Sequence, residues 1–247
     1  MRWRERDRVR WLEATLPGAT AAFSTRLGGV GEGAFATLNL GLYTDDAAET
    51  VHTNRLRLSR ALGRDPEGIL FGHQVHGAEL VRRDHPPGRN PWSDSDAPPV
   101  EGDGQVTSAA ELTPLVQVAD CLPVIVAGPG GIAALHCGWR GLAAGILERG
   151  ARQVEATAAA IGPGIGRCCY EVGPEVLAQF SPLGEGIADG RMLDLAEVAR
   201  RLLVGAGVER VETASLCTSC EPALFFSHRR DQGRTGRQAG LAWLDDA

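Results

Sequence analysis

The apolar runs of this chain are short, and turn residues separate them. The clearest pair is Leu122–Ala127 and Ile132–His136, which flank Gly128-Pro129-Gly130-Gly131. Short apolar runs joined by a Gly/Pro cluster predict a β-hairpin. With a symmetric turn, His136 faces Pro123, and alternation along a strand puts Cys121 on the same face as Pro123. Cys121 and His136 are then diagonal neighbours, roughly 7–8 Å apart at the backbone and within reach of a shared ion. A one-residue change of register breaks this arrangement.

Other segments follow the same rules. Asp46 and Glu49 have capping-box spacing and open a helix to Leu62, ended by Gly63, with Val51, Leu58 and Leu62 as its buried stripe. Leu142, Ile146, Leu147, Ala151 and Val154 predict one helix after the hairpin, with Trp139, Arg140 and Gly141 at its N-terminal end, where free N–H groups favour anions. Pro174 starts a helix through Phe180, and Asp194 with Glu197 caps another to about Leu203. Ile69–Phe71, Glu79–Val81, Asp103–Ser108, Ala158–Ile161 and Phe225–Ser227 read as strands, and the Pro-, Asp- and Ser-rich stretch from Arg83 to Glu101 as a surface loop.

The length of 247 residues, with 43% hydrophobic and 23% charged positions, suits one domain over residues 1–247. No run of 18 apolar residues exists, and the charged N-terminus, Met1-Arg2-Trp3-Arg4-Glu5-Arg6, argues against a signal peptide, so the expected location is cytoplasmic. A net charge of −6 gives no reason to expect nucleic acid. Lysine is absent, which excludes a lysine Schiff base and a P-loop lysine.

Candidate chemistry clusters at a few places. Arg26 stands in the Gly-rich stretch Phe23–Gly33, as a mobile-loop residue or an anion anchor. His73 and His76 flank Gln74-Val75, and Asp103 opens the strand Asp103–Ser108 as a candidate acidic contributor. Arg229, Arg230 and Arg237 lie in a polar loop that reads as solvated or as an oxyanion clamp. The six cysteines are Cys121, Cys137, Cys168, Cys169, Cys217 and Cys220, and reduced thiols with metal or nucleophile roles fit them better than disulfides. Cys217-Thr218-Ser219-Cys220 is a CxxC without a second pair, and Cys168-Cys169 are too few for a zinc knuckle of their own.

Taken in order, Phe23-Ser24-Thr25-Arg26, Leu38-Asn39-Leu40-Gly41, Gln74-Val75-His76-Gly77, Asp120-Cys121-Leu122-Pro123, His136 with Gly138-Trp139-Arg140-Gly141, Cys168-Cys169-Tyr170-Glu171-Val172-Gly173 and Phe225-Phe226-Ser227 with Arg229-Arg230-Asp231 resemble the laccase-domain, or YfiH-like polyphenol oxidase, family. Cys137 stands where that family usually has Ala, His228 where it usually has Tyr, and Cys220 is outside its pattern. The resemblance implies an α/β fold of layered mixed β-sheets with outer helices. It also implies a zinc held by His76, Cys121 and His136, with copper as the other metal such ligands accept. His73 is the rival ligand.

The implied activity is zinc-dependent purine nucleoside phosphorylase, with adenosine deamination and methylthioadenosine phosphorolysis. Its partners are purine nucleosides and inorganic phosphate, with no membrane. Cys121, Asp120 and Arg140 are the catalytic candidates, and Arg26, Asn39, Arg229 and Arg230 the substrate or phosphate candidates. Glu171 and Asp103 are further candidates for the proton shuttle. Two alternatives stand beside it. One is a metal-independent cysteine hydrolase with Cys121 as nucleophile, acting on an amide such as a peptidoglycan precursor. The other is copper-dependent polyphenol oxidation, for which six histidines are too few to build a multicopper centre.

Overall fold

A computed structural model describes residues 1–245. The chain opens with the antiparallel strands β1 (Arg2–Arg6), β2 (Val9–Leu16) and β3 (Ala19–Ser24). A long loop leads to helix α1 (Ala48–Leu62), then to β4 (Ile69–Leu70), β5 (Leu80–Arg82), β6 (Gly104–Thr107) and β7 (Thr113–Val118). The hairpin is β8 (Leu122–Gly128) and β9 (Gly131–Cys137). Helices α2 (Trp139–Ala143) and α3 (Ile146–Val154) precede β10 (Ala158–Ile161). Last come α4 (Pro174–Phe180), the small hairpin β11 (Ala188–Asp189) and β12 (Met192–Leu193), α5 (Leu195–Gly205), β13 (Arg210–Thr213) and β14 (Gln238–Leu244).

Two six-stranded sheets carry the fold, in the orders β1-β2-β3-β14-β7-β4 and β13-β10-β8-β9-β6-β5. Both are mixed: β4 runs parallel to β7, β5 to β6 and β10 to β13. The sheets face each other across a layer rich in small side chains, among them Ala14, Ala21, Ala127, Ala134, Ala158, Ala160 and Ala242, with Phe23 between them. Alanines let two sheets approach closely without voids. The outer face of the first sheet is covered by Leu58 and Ala61 of α1, and that of the second by residues of α3 and α5 such as Leu147 and Leu203. The result is the layered α/β arrangement expected, with helices outside.

The hairpin shows how sequence sets these layers. Val124 and Val126 point to the helices, while Ile125 and Ala127 point to the opposite sheet. On β9, Ala133 and Leu135 face the helices, whereas Ile132 and Ala134 face the inter-sheet layer. Each fully buried Val, Ile or Leu contributes roughly 1.5–3 kcal/mol. His136 shares the parity of Ile132 and Ala134, so it closes one end of the inter-sheet layer.

Three local expectations need correction. The helix expected after the hairpin is two helices, because Gly145 adopts φ 82° and breaks it before Ile146. The capping box at α1 does not form: Asp46 Oδ2 instead accepts a hydrogen bond from Asn39 Nδ2. Phe225–Ser227 is buried but not a strand, because the side chain of Gln238 takes both backbone bonds of Phe226. Gly63 ends α1 with φ 67°, and Asp194 caps α5 through the N–H of Glu197, both as expected.

Candidate metal centre

Pro123 pairs with His136 in the hairpin, the register a symmetric turn predicts. Cys121 therefore stands beside His136 at the open end of the inter-sheet layer. His76 arrives from the loop after β4 with φ 63°. The ligand atoms of His76, Cys121 and His136 lie within 4.8 Å of one another. The two imidazole rings meet edge-to-face with centroids 4.8 Å apart. His73 is outside this group; it lines the adjoining cavity.

Asp103 organises the centre. It is fully buried immediately before β6. Its Oδ1 lies 2.7 Å from Nδ1 of His136, and the same oxygen accepts the N–H of His76 at 2.9 Å. Its Oδ2 accepts the N–H groups of Gly77 at 2.8 Å and Val75 at 3.1 Å. One carboxylate thus fixes the loop that carries His76 and the ring orientation of His136. Burial alone raises its pKa, but the hydrogen bond from His136 and those from Gly77 and Val75 outweigh burial and hold Asp103 below its usual value. With Nδ1–H donated to Asp103, His136 presents Nε2 to the centre.

Charge within the centre is strongly coupled. Burial pushes the Cys121 thiol up, yet the positive charge of His136 and hydrogen bonds from both histidines prevail and lower it from 9.0 to about 6. For His136, burial disfavours the cation, but the charge of Cys121 and the hydrogen bond to Asp103 prevail and raise it from 6.5 to about 9. A thiolate beside two imidazoles is a ligand set that suits zinc, and copper can also occupy it. A carboxylate behind a ligating histidine is the partner such a histidine commonly has. The donors therefore fit a metal. His136 is buried, Cys121 is half-buried and His76 is exposed. All three side chains line the adjoining cavity.

Gly138 makes this convergence possible. A Cβ there would stand 3.0 Å from Cys121 Sγ and 3.3 Å from His76 Cδ2.

The centre forms part of the wall of a cavity of about 450 Å³, a size that suits a small organic ligand. Phe71, Trp139 and Tyr170 give it aromatic surface, and Arg140, Arg229 and Arg237 give it positive charge. Arg140 stacks its guanidinium on Trp139 at 4.3 Å. Arg229 donates to the carbonyl of Glu171 at 3.2 Å. Burial lowers the pKa of Arg237, and the negative charges of Cys121 and Asp120 oppose that effect. Burial and the charge of Cys121 push the Tyr170 phenol up to about 12, so it stays a neutral hydroxyl.

Several expected site residues do other work. Arg26 donates to the carbonyls of Ala36 and Pro222 and stacks over Phe226, away from the cavity lining. Arg230 pairs with Asp231 and the carbonyls of Thr218 and Phe225, and it too is outside the lining. Asn39 is buried and holds Thr44, Asp46 and the N–H groups of Gly41 and Arg237. Asp120 borders the cavity with φ 90°, but Thr218 donates to its Oδ1 at 2.6 Å and the Arg229 N–H to its Oδ2 at 2.7 Å. Each of its oxygens thus accepts one hydrogen bond that holds a neighbouring segment. Glu171 is exposed and pairs with Arg191. Arg237 was legible only as part of an arginine-rich loop, and Tyr170 only as part of a motif.

The family model described as "Multi-copper polyphenol oxidoreductase laccase" matches residues 20–245. Curated relatives match over most of both lengths. "Purine nucleoside phosphorylase" of Deinococcus radiodurans is 40% identical, covering 90% of this chain and 88% of the relative. "Purine nucleoside phosphorylase YlmD" of Geobacillus stearothermophilus is 37% identical, covering 92% of each. "Purine nucleoside phosphorylase YfiH" of Escherichia coli is 36% identical, covering 92% and 94%. The crystal structure of YlmD from Geobacillus stearothermophilus superposes with a TM-score of 0.87 at 35% identity over 99% of both chains. That of Bacillus licheniformis hypothetical protein YfiH does so with 0.88 at 32% identity, over 98% of this chain and 99% of that one.

Proposed function

This chain belongs to the multi-copper polyphenol oxidoreductase laccase family, and from that premise we propose that it is a purine nucleoside phosphorylase with a zinc ion held by His76, Cys121 and His136. The same pocket deaminates adenosine and phosphorolyses methylthioadenosine in this reading, and the whole chain acts as one laccase-like domain. The observation that carries it is the opening of a two-histidine, one-cysteine ligand group into a cavity with both aromatic and cationic walls. When bound, zinc supplies Lewis acidity.

The protein's own groups supply the rest. Phe71, Trp139 and Tyr170 offer surface for a purine, and the Tyr170 hydroxyl offers a hydrogen bond. Arg140, Arg229 and Arg237 offer forked donors and charge for phosphate. Asp120 positions rather than shuttles: it ties the Thr218 and Arg229 segments to the cysteine that follows it. Deep placement of His136 and Asp103 keeps water from the rear of the centre.

The test is incubation of purified, metal-quantified protein with adenosine, with and without phosphate, with products resolved by chromatography. Adenine and ribose 1-phosphate appear only with phosphate, and inosine appears in both. If adenosine, inosine and methylthioadenosine all survive with the zinc-replete enzyme and phosphate, the reading is wrong.

One observation favours a second reading. Cys121, His136 and Asp103 lie in the order nucleophile, base and orienting carboxylate, which is the arrangement of a cysteine hydrolase. Metal dependence separates the two. Chelation abolishes the phosphorylase and would activate the hydrolase.

A further inference from the structure

A second group of sulfurs lies outside the cavity. Cys168 and Cys169 come from the loop after β10, and Cys217 and Cys220 from the segment after β13. Their Sγ atoms all lie within 4.8 Å of one another. The CxxC that lacks a partner pair in the sequence finds one in space. We propose that these four cysteines form a closed, tetrahedral structural zinc site, separate from the His76, Cys121 and His136 centre.

The geometry favours one shared ion over paired sulfurs. Cys220 Sγ is 3.4 Å from the sulfurs of both Cys168 and Cys169, so no single partner is selected. In a tetrahedral zinc–thiolate site with Zn–S near 2.3 Å, neighbouring sulfurs are about 3.8 Å apart. The four sulfurs need only small shifts to reach that spacing. Four soft thiolates and no oxygen donor suit zinc and disfavour magnesium, calcium and manganese.

The backbone holds both arms in place. Gly164 bridges to Cys217 in a parallel pairing, and the Thr218 N–H donates to the Gly164 carbonyl at 2.9 Å. The Gly166 N–H donates to Cys217 Sγ at 3.2 Å, the kind of bond that steadies a ligating thiolate. A Cβ on Gly166 would come within 3.1 Å of Cys217 Cβ and 3.3 Å of Cys168 Sγ, so the two arms meet because that position is glycine. Arg230, itself paired with Asp231, donates to the carbonyl of Thr218 at 2.8 Å and so steadies the CxxC turn. Cys168 and Cys220 are exposed, which gives an ion a route in.

The position gives the site a task. The first arm continues into Tyr170 and the second into Arg229, both on the cavity wall. Thr218, between the two ligands of the second arm, donates to Asp120, next to Cys121. An ion here fastens two walls of the cavity to each other without entering it.

The test is metal content of protein purified under reducing conditions without chelator. Wild type carries two zinc ions per chain, and Cys168→Ser and Cys220→Ser each carry one. Cys121→Ala also carries one, and X-ray absorption on that variant reads four sulfur neighbours. Because Cys121→Ala leaves all four cysteines in place, this holds even if the serine variants fail to fold. A Cys121→Ala protein without metal overturns the proposal, as does a mixed nitrogen and sulfur shell, or an intact mass showing these cysteines joined as disulfides. Wild type with a single zinc that survives Cys121→Ala supports this site and overturns the other one, so the two failures are distinguishable.

Discussion

One oxygen of Asp103 serves both histidines of the candidate metal centre: Oδ1 lies 2.7 Å from Nδ1 of His136 and accepts the His76 backbone N–H at 2.9 Å. Asp103→Asn turns one acceptor oxygen into a donor facing other donors. We expect metal affinity to fall on the order of 10–100-fold. Competition with a chelator of known strength measures it, and unchanged affinity contradicts the organising role.

Gly138→Ala forces a methyl group against Cys121 Sγ and the His76 ring. Metal occupancy should fall while melting of the metal-free protein changes little, because the crowding is confined to the ligands. Full zinc occupancy in this variant, read by elemental analysis, would show that the ligands can give way.

The coupled pair sets a pH dependence. In the metal-free protein, Cys121 loses its proton at about 6 and His136 keeps its proton to about 9. The thiolate is present above about 6 and is lost as pH falls through that value. Alkylation of the Cys121 peptide, followed by mass spectrometry, should rise through that pH and not near 9.0. Between these limits a metal displaces the His136 proton, so apparent affinity gains about tenfold per pH unit. A flat affinity profile across that window excludes the pair.

Arg237→Ala should raise the KM for phosphate roughly ten- to a hundredfold, the worth of a charged hydrogen bond, with zinc content unchanged. Arg26→Ala should leave that KM alone and cost about 1–2 kcal/mol of stability, because its donors hold the Ala36 and Pro222 carbonyls. Steady-state kinetics with denaturant melts separate the two. The opposite pattern would return Arg26 to the anion site.

What the sequence makes legible is what depends on local periodicity. The hairpin register follows from a Gly/Pro turn between two apolar runs, and it places Cys121 beside His136. The end of α1 follows from Gly63, and the start of α5 from Asp194. Long-range polar contacts are not legible in this way. Asp103 reads as a possible acidic contributor or proton shuttle, and its role in holding both histidines emerges only when the His76 loop folds onto it. Arg26 reads as an anion anchor because its partners, two backbone carbonyls, leave no mark in a sequence. The four cysteines read as two weak motifs because 48 positions separate Cys169 from Cys217, and long-range pairings such as the Gly164–Cys217 bridge bring them together.

The turn at Pro129-Gly130 lies at the far end of β9 from His136, roughly 17 Å along the strand at about 3.4 Å per residue. It is nevertheless tied to the candidate metal centre by parity. Cys121 and His136 share a face because the number of residues between them is right modulo two. A single residue added to the turn and absorbed by sliding the strands turns His136 toward the helices and brings Cys137 to the ligand face. Two added residues restore the pairing. Length variation at this distant, solvent-side turn should therefore be tolerated in twos and penalised in ones, with zinc content as the counter.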